Sequence, residues 1–266
     1  MKKSIRKIML VAFSALLAVN FAACTVKNGS VIKTVKFSVS YSDTDNKSVN
    51  KNGIMELYET FAPKTSAAVL DLVKGGKYKN TDLVFSKNGK YVVFGALNKN
   101  GNDYEKVNLS SKTIDGEFTK AGWESKLSAD KGTLVMLRDY DSDEGGKKYD
   151  SAKGVFAVIL ESGDFTKGEY TVFGKVDDAT VTFLTAMRDN LYKNDKDKVC
   201  VKYVGKDCNE LKYGGIYYYS GSTFYRNAED EEGITGELSE ELSNANSFDF
   251  YALPVNPVKL TQISKK

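Results

Sequence analysis

Residues 53–81 read GIMELYETFAPKTSAAVLDLVKGGKYKNT, and this stretch decides the fold. Successive strand side chains point to opposite faces, so Ile54, Glu56 and Tyr58 share one side and Met55 and Leu57 the other. The strand runs into Ala62-Pro63-Lys64-Thr65. A short helix over about 66–74 follows, with Ala67, Leu70 and Val73 at helical spacing and Gly75-Gly76 stopping it. A strand, a sharp turn and a capping helix in this order describe a β-rich domain with helices at its ends.

Working outward from that block, the chain begins Met1-Lys2-Lys3-Ser4-Ile5-Arg6-Lys7 and is apolar from Ile8 to Ala23, with Asn20 as the one strongly polar interruption. A basic start, a short apolar core and a small-residue exit predict a secretory leader over 1–23. The exit Phe21-Ala22-Ala23-Cys24 resembles a bacterial lipobox, which makes Cys24 the predicted lipidation site and the membrane the first predicted partner. Each buried acyl CH₂ contributes about 0.8 kcal/mol, so several chains on one cysteine hold a protein stably. The expected location is the bacterial envelope, outside the cytoplasm, in a periplasmic or surface leaflet. Residues 24–34 read as a polar tether and 35–266 as the folded domain.

The leader also carries the excess positive charge. The precursor has 38 basic and 35 acidic residues, and the leader holds four of the basic ones and no acid. The remainder has 34 against 35, a net charge of −1, and no basic-aromatic run that would track phosphates. Nucleic acid is therefore not an expected partner. The chain contains no His, which excludes a Ser-His-Asp hydrolase, and no phosphate-cradling glycine loop is present. No cofactor is expected. Cys200 and Cys208 close the segment CVKYVGKDC and are read either as a disulfide of an oxidising compartment or as two free buried thiols.

With 16 Tyr, 14 Phe and only three Pro, the composition suits sheet structure. Strands are expected at Val35–Tyr41, Ile54–Tyr58, Leu83–Phe85, Tyr91–Leu97, Gly132–Leu137, Gly154–Leu160, Tyr170–Val176 and Val258–Ile263. Ser42–Asn52 and most of Gly101–Trp123 read as loop. A second amphipathic helix is expected from Asp178 to Leu191, with Val181, Leu184 and Met187 on one face. Many strands with two helices imply a closed, mainly β barrel, since closure removes exposed edges.

Four blocks in the right order carry a resemblance to the cyclophilin-type peptidyl-prolyl cis-trans isomerases. They are the opening 53–81 block, Gly132-Thr-Leu-Val-Met beside the family's G-x-L-S-M, Gly154-Val-Phe-Ala-Val-Ile beside S-Q-F-F-I, and Gly168-Glu-Tyr-Thr-Val-Phe-Gly-Lys-Val176 beside G-K-H-T-V-F-G-K-V. The closing Asn256-Pro-Val-Lys-Leu-Thr-Gln-Ile263 is similar to the last strand of bacterial members. The resemblance covers about 35–190 and 254–264. It implies a closed antiparallel barrel capped by two helices, a prolyl-peptide substrate and a groove on the outer face of the sheet. Residues 192–250 would then be an insertion containing the aromatic stretch Tyr213–Tyr225, read either as a small second sheet or as a partner-binding surface.

In that family an arginine donates to the prolyl nitrogen and weakens amide resonance, whose rotation barrier is about 18–20 kcal/mol. Here the family's F-H-R block reads Asp82-Leu83-Val84-Phe85. An ungapped register puts Phe85 at the arginine position, and a register shifted by two puts Lys87 there. The F-M-x-Q block becomes Lys90-Tyr91-Val92-Val93. The strand glutamine becomes Val155, the pocket phenylalanine Ala157, the pocket tryptophan or leucine region Phe165-Thr166, and the histidine Tyr170. Arg138 stands at the groove asparagine, and with Lys87 it is one of two candidate catalytic cations. Nearly every groove residue is changed. Two readings follow: an isomerase of weak or lost activity, or a non-catalytic polypeptide-binding or surface interaction module on the same barrel. A faint calcium-loop pattern, Asp139, Asp141, Asp143 and Asp150, lacks the sixth-position glycine and the closing glutamate and reads as a solvated acidic loop.

Overall fold

The computed structural model describes residues 31–43, 45–86, 89–100, 103–125, 127–138, 148–163, 165, 168–193, 216–220, 223–226, 251–254 and 257–266. The predicted lipidation site Cys24, the Cys200–Cys208 pair, Lys87, and Asp139, Asp141 and Asp143 lie outside them, as does most of 192–250.

The first ribbon sets the pattern. Strands β1 (Ile32–Ser42) and β2 (Ser48–Tyr58) pair antiparallel from Ile32↔Tyr58 to Ser42↔Ser48. Val35, Phe37 and Val39 of β1 and Met55 and Leu57 of β2 face a common core, as the alternation predicts. The expected loop at 42–52 shrinks to a turn closed by the Asp43 carboxylate, which accepts from the backbone N–H of Asp45 and of Lys47 at 3.0 and 2.8 Å. The polar residues that read as loop are strand residues whose side chains are mostly exposed. β1 likewise starts at Ile32, inside the stretch assigned to the tether.

The remaining strands are β3 (Asp82–Ser86), β4 (Tyr91–Asn100), β5 (Asp103–Lys106), β6 (Thr133–Met136), β7 (Phe156–Ile159), β8 (Val172–Val176), β9 (Ile216–Ser220), β10 (Thr223–Arg226), β11 (Tyr251–Pro254) and β12 (Val258–Lys265). β5 lies in a region expected to be loop. Eight strands close a ring in the order β3-β12-β1-β2-β8-β6-β7-β4, with β4 pairing back onto β3. Every pairing is antiparallel. β11, β9 and β10 extend the sheet from one edge of β3, where Tyr251 and Ala252 pair with Ser86 and Phe85. The tyrosine-rich hairpin is therefore a continuation of the barrel sheet and not a separate one.

Helix α1 (Pro63–Lys74) follows β2, and α2 (Asp178–Arg188) follows β8. β2 and β8 are antiparallel, so the helices leave at opposite ends. α1 buries Thr65, Ser66, Val69, Leu70 and Val73, while Ala67 is exposed, so the buried face is rotated from the one expected. α2 is capped by Asp177, whose side chain accepts from Thr180 N–H at 2.8 Å. It ends at Arg188, and a wider five-residue turn continues over Asp189–Lys193.

Inside the ring the aromatic rings organise the packing. Phe94 stacks on Phe156 at 4.9 Å, and Phe37, Tyr78 and Phe173 meet this pair edge-on at 5.4 to 5.6 Å. The Tyr78 hydroxyl donates to Gly154 O at 2.6 Å, and burial pushes its pKa well up. Gly53 lies directly beneath Phe37, where an added Cβ would sit 2.2 Å from the ring carbon Cζ. Gly53→Ala is therefore expected to lower unfolding free energy by about 1–3 kcal/mol through overpacking, read as a lower urea midpoint at constant slope.

Asp82 ties three strands. Its Oδ2 accepts from Lys99 N–H at 2.5 Å and from Lys259 Nζ at 2.9 Å, and the side chain is 1 % exposed. Burial raises its pKa, outweighing the lowering by Lys259 and Lys99. The folded state thus holds this proton more tightly than the unfolded chain, whose Asp titrates near ~3.9. Its contribution to stability is fully present below that value and is lost as the pH rises through the folded one. The stability difference between wild type and Asp82→Asn should accordingly favour wild type most at acid pH and shrink towards neutrality in pH-resolved denaturation. A difference that is flat with pH overturns this assignment.

Candidate functional site

The outer face of the barrel opposite β1 is where the sequence places a groove. One row of side chains crosses five strands there: Val84 pairs with Val93, Val93 with Ala157, Ala157 with Val135, and Val135 with Val172. A barrel strand ordinarily turns one face to the core and the other to water. Here the outward row is buried as deeply as the inward one, with Val84, Val93, Ala157 and Val135 at 0 % exposure. All five side chains are aliphatic, so none can donate to or accept from a peptide.

This row belongs to a second apolar cluster that includes Tyr58, Tyr91, Leu97, Leu127, Leu137, Ile159 and Leu253, with Phe61, Val155, Phe165, Tyr170 and Tyr251 packed on it. Of the predicted groove residues, Tyr91, Val93, Val155, Ala157, Phe165 and Tyr170 are thus brought together. Phe85 is not. It faces the barrel interior in the first cluster, because the β3 residues sharing the groove face are Val84 and its alternates. Placing the arginine at Phe85 is therefore corrected by strand parity.

The groove is filled by a chain of rings. Tyr91, fully buried, meets Phe165 edge-on at 4.8 Å, and Phe165 meets Tyr170 at 5.1 Å. Tyr170 in turn lies under the Arg138 guanidinium at 4.8 Å. Arg138 also sits over Tyr149 at 5.3 Å and Phe118 at 5.6 Å, and its Nε donates to Glu169 O at 3.1 Å. The candidate cation is thus held in an aromatic box at the groove rim. The arrangement offers packing and a fixed charge over the aliphatic row of Val84, Val93, Ala157, Val135 and Val172.

Two functional-looking groups escaped the sequence. Glu117, 1 % exposed, caps α1 from a distant loop: Oε1 accepts from Lys64 N–H at 2.9 Å and Oε2 from Thr65 N–H at 2.8 Å. Its own N–H donates to Thr171 Oγ1 at 2.9 Å, which links α1 to the start of β8. A carboxylate at a helix N-terminus satisfies orphan donors and complements the dipole. Arg188, 3 % exposed, donates through Nη1 to Gly89 O at 3.0 Å and to Glu161 at 2.6 Å, with Asp189 2.7 Å from Nε. It holds the turn before β4 against the loop after β7. Neither role has a periodic signature, since each depends on partners far along the chain.

Asp150 is used locally, accepting from Gly116 N–H at 2.8 Å. Among the described residues no group of three or more His, Cys, Asp or Glu side chains could hold a metal ion.

With the geometry in place, the comparisons give a consistent assignment. The family model for cyclophilin type peptidyl-prolyl cis-trans isomerases matches residues 47–209, more than half of the chain. The chain belongs to that family. No curated protein matches it. Among solved structures, a Cryptosporidium parvum cyclophilin type peptidyl-prolyl cis-trans isomerase is similar at 15 % identity and a TM-score of 0.44, covering 87 % of this chain and 98 % of that one. The same protein in the presence of the dipeptide Ala-Pro is similar at 17 % and 0.40, covering 86 % and 98 %. The assignment rests on the match over 47–209 and not on these distant structures.

Substitutions separate the floor from its cover. Tyr91→Ala should cost about 3–5 kcal/mol, the range for truncating a large buried ring. Arg138→Lys keeps the charge and loses the planar stacking surface, with an expected loss of about 1–2 kcal/mol. Chemical denaturation of the two variants checks both; equal and negligible shifts would remove the filled groove as a structural element.

Proposed function

We propose that this protein is a membrane-anchored cyclophilin-family lipoprotein of the bacterial envelope with weak or lost isomerase activity, which binds polypeptide as an interaction module. The observation that carries the reading is the continuous Tyr91–Phe165–Tyr170–Arg138 contact over an aliphatic floor. Prolyl isomerisation needs a ring-sized apolar pocket and a donor aimed at the prolyl nitrogen. The floor that would receive the ring is Val93 and Ala157, both at 0 % exposure. The strand position facing that floor is Val84, which has no proton to donate. Arg138 is engaged by three rings at the rim. A proline peptide would have to displace Phe165 and Tyr170 and would still meet no donor on the floor.

Envelope anchoring rests on the leader and Cys24 and is tested separately, by the acyl mass on the N-terminal cysteine of protein isolated from membranes and its loss in Cys24→Ser. For the activity, the uncatalysed exchange of an X–Pro bond takes roughly tens to hundreds of seconds at 25 °C. The protein is expected to accelerate a proline-peptide exchange little or not at all. Robust turnover abolished by Lys87→Ala or Arg138→Ala would instead make it an isomerase and sink the binding-only reading.

A further inference from the structure

The two ends of the barrel carry different sets of charged side chains. β1 and β3 start, and β2 and β12 finish, at the end that α1 covers. Three acids at this end are matched by lysines, Glu59 with Lys33, Asp71 with Lys74 and Asp115 with Lys64, while Glu117 caps α1 and Asp150 accepts from Gly116 N–H. Four exposed lysines are left over there, namely Lys77, Lys79, Lys265 and Lys266, which make no ion pair among the described residues. Beside them Val31 and Ile32 are, among the described residues, the exposed large apolar side chains, at 47 % and 39 %. The opposite end carries Asp43 and Asp45 in the β1–β2 turn and Asp177 and Asp178 at the head of α2, together with the exposed Lys47, Lys51 and Lys131.

Chain length fixes which end meets the bilayer. Only residues 25–30 separate Cys24 from Val31, and a fully extended chain spans at most about 3.3–3.6 Å per residue, so Val31 stays within about 25 Å of the anchored cysteine. We propose that the α1 end of the barrel, through Lys77, Lys79, Lys265 and Lys266 around Val31 and Ile32, docks flat on an anionic phospholipid surface. This rests on the Cys24 anchoring above and adds a second, electrostatic attachment that sets orientation. The filled groove face, centred on β7 and diametrically across the ring from β1, then stands to the side of the docked end.

The test uses residues 24–266 with Cys24→Ser, since all eight barrel strands lie within 32–265 and no acyl group can attach. Sedimentation is compared on vesicles of phosphatidylcholine alone and of phosphatidylcholine with phosphatidylglycerol. Binding is expected only to the anionic vesicles and is lost at about 1 M salt, where the Debye length falls to about 3 Å. A basic residue near an anionic surface contributes about fivefold in partitioning. Lys265→Gln/Lys266→Gln should therefore weaken binding about tenfold or more. Lys47→Gln/Lys131→Gln, at the other end, should leave it unchanged. Equal binding to both vesicle types, no binding, or equal effects of the two double variants overturns the docking. A native protein without acyl mass on Cys24 would remove the anchor and leave this result standing.

Discussion

β3 is five residues long and every one of them is buried. It is the strand that closes the barrel, with β4 on one edge and β12 and β11 sharing the other. Leu83 and Phe85 fill the interior, while Val84 lies under the outer cluster. A strand covered on both faces must be apolar on both faces, because an unpaired charge there would lose its hydration with nothing in return. That constraint leaves the outer face of β3 with the aliphatic Val84 at its centre. The polar exceptions are Asp82 and Ser86 at its ends, and each is engaged: Asp82 by Lys99 N–H and Lys259 Nζ, and Ser86 by Tyr91 N–H.

Once the outer face is buried, the rest of the site follows. Val93, Ala157 and Val135 continue the row started by Val84, and rings from outside cover it. The outer face of the sheet is thereby a second apolar core. The fold loses nothing by this, since the interior stack of Phe94 and Phe156 and the two capping helices do not involve the groove side chains. Scaffold and chemistry are separable in this barrel, and function is argued from the site and not from the fold.

Much of the scaffold could be read from residue order. Met55 and Leu57 point inward as their alternation requires, and Asp177 caps α2 just ahead of the helix that Leu184 and Met187 announce. The changed groove residues were also legible, and six of the seven predicted ones meet in space. Phe85 was misplaced because a gapless register fixes position along a strand but not which face a residue takes after an irregular turn. The polar 42–52 segment misled for a related reason: alternation signals a strand only where one face has a core to bury.

The sequence by itself determined the family scaffold and the substitution of nearly every residue that the resemblance places in the groove. Those features are local or ordered along the chain, so spacing and residue type suffice to find them. Only the tertiary structure decided that the groove is filled and not merely altered. It also decided that Arg138 rests in a box made by Phe118, Tyr149 and Tyr170, and that Glu117 caps a helix 52 positions before it. These depend on which faces of distant segments meet when the ring closes, and no window of neighbouring residues contains that information.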